Sequence, residues 1–265
     1  MRTPRIFSDQ PLLAGADVVL NEHAAQYLGK VLRVRVGDNV ILFDGQGQQA
    51  SASIKAIAKQ SISVLLGAVS TPQTESFLQC HLGLCLSKGD RFDWAIQKAT
   101  ELGVSSISPL YSTRVDFTVP PERLAKRLSH WQQIVTSACE QSGRVRIPTV
   151  NAPTSLTNWV SETLADVKLV LHCDVNSPPP LATKPLSVAL LIGPEGGLTD
   201  EEVATAERHH FQPWQLGPRI LRTETAPVVA LSVIGAQWGD MAQRSLNALG
   251  ISTERSLRHH FCSPL

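Results

Sequence analysis

Two stretches of this 265-residue chain gather residue types that can do chemistry. In the first, the apolar run Val188 to Ile192 ends in Gly193-Pro194-Glu195-Gly196-Gly197-Leu198-Thr199. Glycines at the carboxyl end of a buried parallel strand let a ligand reach the backbone, because no Cβ stands in the way. The same glycines also suit a tight strand-to-helix turn, and spacing alone leaves both readings open. The second stretch is Leu216-Gly217-Pro218-Arg219-Ile220-Leu221-Arg222-Thr223-Glu224-Thr225-Ala226, set before an apolar helix. Charged side chains at such a place are costly unless paired or used. An Arg219–Glu224 or Arg222–Glu224 ion pair would merely shape the loop. A free Arg222 would offer permanently charged, fixed donors to a developing oxyanion. Glu195 or Glu224 could accept a proton if burial raised its affinity for one.

Two helix ends add charge: Gln97-Lys98-Ala99-Thr100-Glu101-Leu102-Gly103 and Glu140-Gln141-Ser142-Gly143-Arg144. They fit helix-end chemistry or contact with RNA. Gly45-Gln46-Gly47-Gln48-Gln49-Ala50 matches a dinucleotide fingerprint in form. A period-two strand follows it where a helix is required, so it reads as a hairpin turn. There is no Walker A sequence, no H-E-x-x-H and no zinc-finger spacing.

The elements that must position these residues fall into two groups. Residues 1–70 are rich in short strands (Val40 to Phe43, Ala50 to Ile57, Ser61 to Val69), with a helix from Glu22 to Leu32 capped by Asn21. Strands this short and close suggest a small barrel. Ser70 to Ser76 is polar and contains a proline, as a linker would. From Phe77 the pattern alternates strand and helix. Strands are expected at Phe77 to Leu86, Ile107 to Tyr111, Lys168 to Cys173 and Val188 to Ile192. Helices are expected at Asp90 to Leu102, Pro121 to Gln141, Leu156 to Leu164, Thr199 to His210 and Ala226 to Met241. Apolar strands alternating with helices imply an α/β domain around a parallel sheet. Thr199 and Glu202 form a capping box at the start of one helix.

Hydrophobic residues make up 43% of the chain, enough to bury a real core, and no apolar run is long enough to span a membrane. No signal peptide is read at the N-terminus. Five cysteines at scattered spacings fit reduced thiols in a cytoplasm. Cys80 and Cys85 on one strand would face opposite ways, which argues against a shared metal. Residues 1–70 hold seven Lys/Arg against five Asp/Glu, 77–150 nine against six, and 151–243 five against ten. The basic N-terminal part could meet phosphates, although differences this small also suit ordinary solvated faces.

Taken together, several motifs in register resemble the RsmE family of ribosomal RNA methyltransferases, within the SPOUT superfamily. They are Lys88-Gly89-Asp90-Arg91, Gln97 through Val104, Glu140 through Arg144, Ile192 through Gly197 and Leu216 through Ala226. Arg5-Ile6-Phe7, His23 through Arg33 and Gly37-Asp38 also match, so the likeness covers about residues 2–242. It implies a PUA-like RNA-binding β-barrel over 1–70 and a trefoil-knotted SPOUT methyltransferase domain over 77–242. Residues 243–265 are left as a C-terminal extension. It further implies a cytoplasmic homodimer, with S-adenosyl-L-methionine as cofactor and N3 of a uridine in the decoding region of 16S ribosomal RNA as target. Another RNA target, a tRNA or a ribose oxygen, and a non-catalytic assembly factor are the competing expectations. The chemistry requires no metal.

On this footing the expected catalytic residues are Arg222, stabilising charge on the base, and Glu195. The cofactor is expected against Leu171, Gly193, Pro194, Glu195, Gly196 and Gly197. On the second loop it is expected against Leu216, Gly217, Ile220, Leu221, Arg222, Thr225 and Ala226. RNA is expected at Arg2, Arg5, Lys30, Arg33 and Arg35 on the barrel, and at Lys88, Lys98 and Arg144 beyond it. The dimer interface is expected on the helix Ala226 to Trp238.

Overall fold

The structure is a computed structural model that describes residues 3–59, 61–173 and 184–241. Arg2 and the extension 243–265 lie outside the described residues.

The N-terminal part is a five-stranded sheet in the order β1-β3-β4-β5-β2. Its strands are β1 (Arg5–Phe7), β2 (Asp17–Val19), β3 (Asn39–Phe43), β4 (Gln49–Ile57) and β5 (Ile62–Ser70). In β4, Ala50, Ala52 and Ile54 are buried while Ser51 and Lys55 face out, the period of two that a half-buried strand needs. One core takes Ile6 from one edge strand and Val18 from the other, so both edges of the sheet serve a single core. The helix expected over Glu22 to Leu32 is split. α1 (Glu22–Gln26) starts at Asn21, whose side chain accepts from the Ala24 N–H, and then widens into a π-turn over Tyr27–Val31. The wider turn buries Leu28 completely and leaves Tyr27 and Val31 exposed. The Gly45–Ala50 motif is a turn: Asp44 Oδ1 accepts from the amides of Gln46, Gly47 and Gln48, and β4 follows directly.

The second part is an all-parallel sheet in the order β12-β10-β11-β6-β7-β8, with β9 also paired to β7. Its strands are β6 (Gln79–Cys85), β7 (Ser106–Tyr111), β8 (Thr149–Val150), β9 (Thr154–Ser155), β10 (Val167–Leu171), β11 (Ser187–Ile192) and β12 (Gln212–Trp214). Among the described residues, five helices flank it: α2 (Arg91–Glu101), α3 (Pro121–Ser142), α4 (Leu156–Glu162), α5 (Asp200–Arg208) and α6 (Thr225–Gln237). β11 shows why its sequence is uniformly apolar. Val188, Leu190 and Ile192 pack into the core shared with α2, α3 and α6, while Ala189 and Leu191 pack toward α4 and α5. β6 divides likewise, so Cys80 and Cys85 enter different cores. Burial pushes the Cys80, Cys85 and Cys139 thiols up to about 12, whereas Cys173 is exposed. Gly83 has to be glycine, because a Cβ there would stand 2.6 Å from the Trp159 ring.

The two parts are joined through a small core of Phe43, Cys139 and Val145, flanked by Phe7 and Ile147. Glu75, in the expected linker, accepts from Arg144 Nε (3.0 Å) and Nη2 (2.7 Å) and from the amides of Val145 and Arg146. Arg144 also donates to the carbonyls of Thr100 and Val104 at the end of α2. With only 8% of its surface exposed, Arg144 cannot reach RNA and is a structural ion pair instead. Arg5, half-buried, is likewise engaged at the joint and not turned to RNA: it donates to Gln49 Oε1 (2.6 Å) and the Arg144 carbonyl (3.2 Å) and lies over the Phe43 ring.

Removing one member of a buried, hydrogen-bonded ion pair strands the other. Arg144→Met should therefore cost about 3–5 kcal/mol in urea unfolding. A loss below about 1 kcal/mol, the range of an exposed pair, would show that the joint rests on something else.

Candidate functional site

The carboxyl ends of β10, β11 and β12 lie side by side, and the loops leaving them enclose a cavity of about 820 Å³. Ligands in parallel α/β sheets bind at this edge. The loop after β11 supplies Gly193, Pro194, Glu195, Gly196 and Gly197, and β10 supplies Leu171. The loop after β12 supplies Leu216, Gly217, Ile220, Leu221 and Arg222, and α6 supplies Ala226. Thr225 is the exception among the residues expected here. It does not line the cavity; its amide donates to the Arg222 carbonyl and it begins α6. Among the described residues no side chain caps α6, and Pro227 sits in its first turn.

The first loop is held from both ends. Gly197, at φ 72°, closes a turn in which its amide donates to the Pro194 carbonyl. Thr199 and Glu202 form the expected capping box on α5. A Cβ on Gly193 would sit 2.9 Å from Leu198 Cγ, so the loop folds onto itself there with no room to spare. Arg114, from the loop after β7, donates through Nη1 to the carbonyls of Gly196 (2.7 Å) and Leu198 (3.3 Å). Beside it, the Thr113 amide donates to Glu202 Oε1 at 2.7 Å.

The charged groups sort differently from expectation. Glu195 is exposed and accepts from Arg91 Nη1 (3.1 Å) and the Lys88 amide (3.3 Å). The burial that a proton-accepting role requires of it is not there. Glu224 Oε2 is buried and, among the described residues, has no hydrogen-bond partner. Among those residues no ion pair joins it to Arg219 or Arg222, both of which are exposed on the cavity rim. A buried carboxylate oxygen without a donor is costly. It fits a site whose missing donor arrives with a ligand.

Of the residues expected to meet RNA, Lys30, Arg33 and Arg35 are exposed, and Tyr27, Val31, Leu32 and Val36 are exposed beside them. Lys88 is exposed and bridges to Asp116 at 2.8 Å. Lys98 is half-buried on Glu101, one helical turn on, at 2.7 Å. Arg91, His172, Cys173, Trp214 and Gln215 also line the cavity and were not singled out as site residues. Arg114 was missed as well. The apolar run Ile107 to Tyr111 ends just before it, so the carboxyl-edge rule that found the glycine loop applied there too.

The family model of the RNA methyltransferase domain matches residues 74–235, and that of the RNA methyltransferase PUA domain matches 20–66. Ribosomal RNA small subunit methyltransferase E of Buchnera aphidicola (Schizaphis graminum) is 33% identical, covering 91% of this chain and 99% of that protein. The protein of the same name from Synechocystis is 37% identical, covering 83% and 73%. A Legionella pneumophila methyltransferase, solved in complex with the bound cofactor SAM, superposes with a TM-score of 0.88 at 39% identity, covering 91% of this chain and all of that one. Ribosomal RNA small subunit methyltransferase E from Neisseria gonorrhoeae, solved with S-adenosyl methionine, gives 0.85 at 36% identity with the same coverage.

Arg114 holds the glycine loop by its carbonyls. Arg114→Ala should therefore raise hydrogen exchange of the amides of Gly193 and of residues 195–198 by roughly tenfold, equivalent to about 1.4 kcal/mol, and leave exchange in β11 unchanged. Exchange mass spectrometry that finds the loop unaltered would remove this clamp.

Proposed function

The chain belongs to the ribosomal RNA small subunit methyltransferase E family, and from that premise we propose that it transfers a methyl group from S-adenosylmethionine to N3 of a uracil in the decoding region of 16S ribosomal RNA. The observation that carries this reading is the cavity at the carboxyl edge, walled by both glycine-bearing loops and holding an unpartnered Glu224 oxygen. Those residues fit the cofactor: Gly193, Gly196, Gly197 and Gly217 bring backbone without a Cβ to the cavity wall. When bound, S-adenosylmethionine supplies an electrophilic methyl on a sulfonium.

The protein's own contribution is to position and to balance charge. Uracil N3 carries a proton at neutral pH and must lose it as the new carbon–nitrogen bond forms. Arg222 lies on the rim with its guanidinium exposed, and it donates to the uracil oxygens on which charge builds. Glu224 takes over the proton-accepting role first assigned to Glu195, whose oxygen is already engaged by Arg91 and Lys88.

Residues 1–70 act as the PUA-like RNA anchor, through Lys30, Arg33 and Arg35, and 77–242 as the catalytic domain. The protein works in the cytoplasm, on ribosomal RNA or the small subunit. No helix among the described residues is long and apolar enough to cross a membrane. It works as a homodimer through α6, over a narrower face than its sequence suggested. Leu231, Ile234 and Trp238 are buried in the protomer's own core, which leaves Val228, Val229 and the exposed Val233, with exposed Trp94 on the adjoining α2. Light scattering at micromolar concentration should give twice the chain mass, and a monomeric mass there would refute the dimer.

Arg222→Ala should bind S-adenosylmethionine as wild type does, yet lose on the order of 10²–10³ in single-turnover methylation. Mass mapping of the modified RNA should place the product at a uracil N3. A normal rate on the saturated variant would strike Arg222 from the mechanism, and a product at another atom would overturn the assigned target.

A further inference from the structure

A second cavity, of about 660 Å³, lies beside the first along the same sheet edge. Where the first cavity is built at the ends of β12, β10 and β11, this one is built at the ends of β11, β6 and β7. The two share a wall made of Arg91, Glu195 and Gly196. Lys88, Arg114, Asp116 and half-buried Phe117 also line it. From this arrangement we propose that the second cavity receives the target nucleotide, with its phosphate at Lys88 and Arg114 and its base on Phe117, the N3 edge turned across the shared wall toward Arg222 and Glu224 in the first cavity. The proposal rests on the methyltransferase reading and supplies what that reading leaves open, the place of the acceptor.

Three observations carry it. Methyl transfer needs the acceptor atom in line with, and within bonding reach of, the donor. A base must therefore sit in space that adjoins the cofactor cavity, and this cavity does. The cations there are available. Lys88–Asp116 and Arg91–Glu195 are exposed bridges of the weak kind that a phosphate can displace. Arg114 contacts two carbonyls and, among the described residues, no carboxylate. Finally, an aromatic face beside fixed cations is how proteins hold a base drawn out of its stack.

The test uses the full chain, saturating S-adenosylmethionine and small ribosomal subunits from a strain that lacks this protein. Single-turnover rates are measured against subunit concentration. Phe117→Leu keeps the apolar packing and removes the ring. It should raise the half-saturating concentration by roughly tenfold or more, the usual worth of one stacked base, and Phe117→Tyr should restore it. Lys88→Glu, at an exposed position, should weaken subunit binding to a similar degree. All three variants should bind S-adenosylmethionine normally by calorimetry. The proposal is overturned if Phe117→Leu and Lys88→Glu both follow the wild-type curve, or if their losses track lost cofactor affinity. Wild-type protein that binds S-adenosylmethionine yet methylates no subunit would overturn the parent reading instead.

Discussion

The ion pair between Glu75 and Arg144 is the interaction on which the rest of this architecture leans. Two charges taken out of water are tolerable only when every donor and acceptor is satisfied, and here the geometry satisfies them. Glu75 takes hydrogen bonds from the guanidinium and from two backbone amides, while Arg144 turns its remaining donors to the end of α2. One residue pair thus fixes the segment between the two sheets, the C-terminal end of α3 and the C-terminal end of α2. The turn after β3 settles on the same place, with the Gly47 amide on the Val145 carbonyl and the Ile147 amide on the Gly45 carbonyl. What composition marks as a linker is a splint.

From that joint the parallel sheet runs to an edge where its loops do all the work. Central β11 is buried on both faces and can carry no polar function of its own. Its loop can, because backbone leaving the end of a buried strand is pinned at one side and free at the other. The protein tightens this arrangement with neighbours instead of with the loop's own side chains. Arg114 and Thr113 come from the strand two places away in the sheet and brace the glycine loop and its helix. Among the described residues, the loop after β12 has no comparable brace, and Ile220 is 85% exposed. The cavity therefore has one firm wall and one open one.

Much of this was legible in the residues. The cavity loops announced themselves through local signals, glycines and prolines after apolar runs and a capping box at Thr199, and those signals depend only on near neighbours. The errors have one physical origin. An arginine has the same charge and spacing whether it meets water or a buried carboxylate, so Arg5 and Arg144 were taken for RNA contacts when they brace the joint. Arg114 meets its partner at a separation of 82 residues, which no window along the chain can see. Strands of three residues, such as β1, β2 and β12, are too short to show a period. Glu224 could be weighed as a candidate from its position, but only the fold shows that its oxygen is buried without a partner.

The fate of the sulfur atoms follows from the same layering. A thiol becomes a nucleophile, and a target for oxidants, only as its thiolate. With Cys80, Cys85 and Cys139 pushed up to about 12, the sheet and the joint hold their sulfur as inert filler at any physiological pH. The exposed thiol among the described cysteines is Cys173, on the wall of the first cavity. Of the described thiols, Cys173 is thus the one that a solvent-borne oxidant or alkylating reagent can reach, at the cavity wall and away from the packed core.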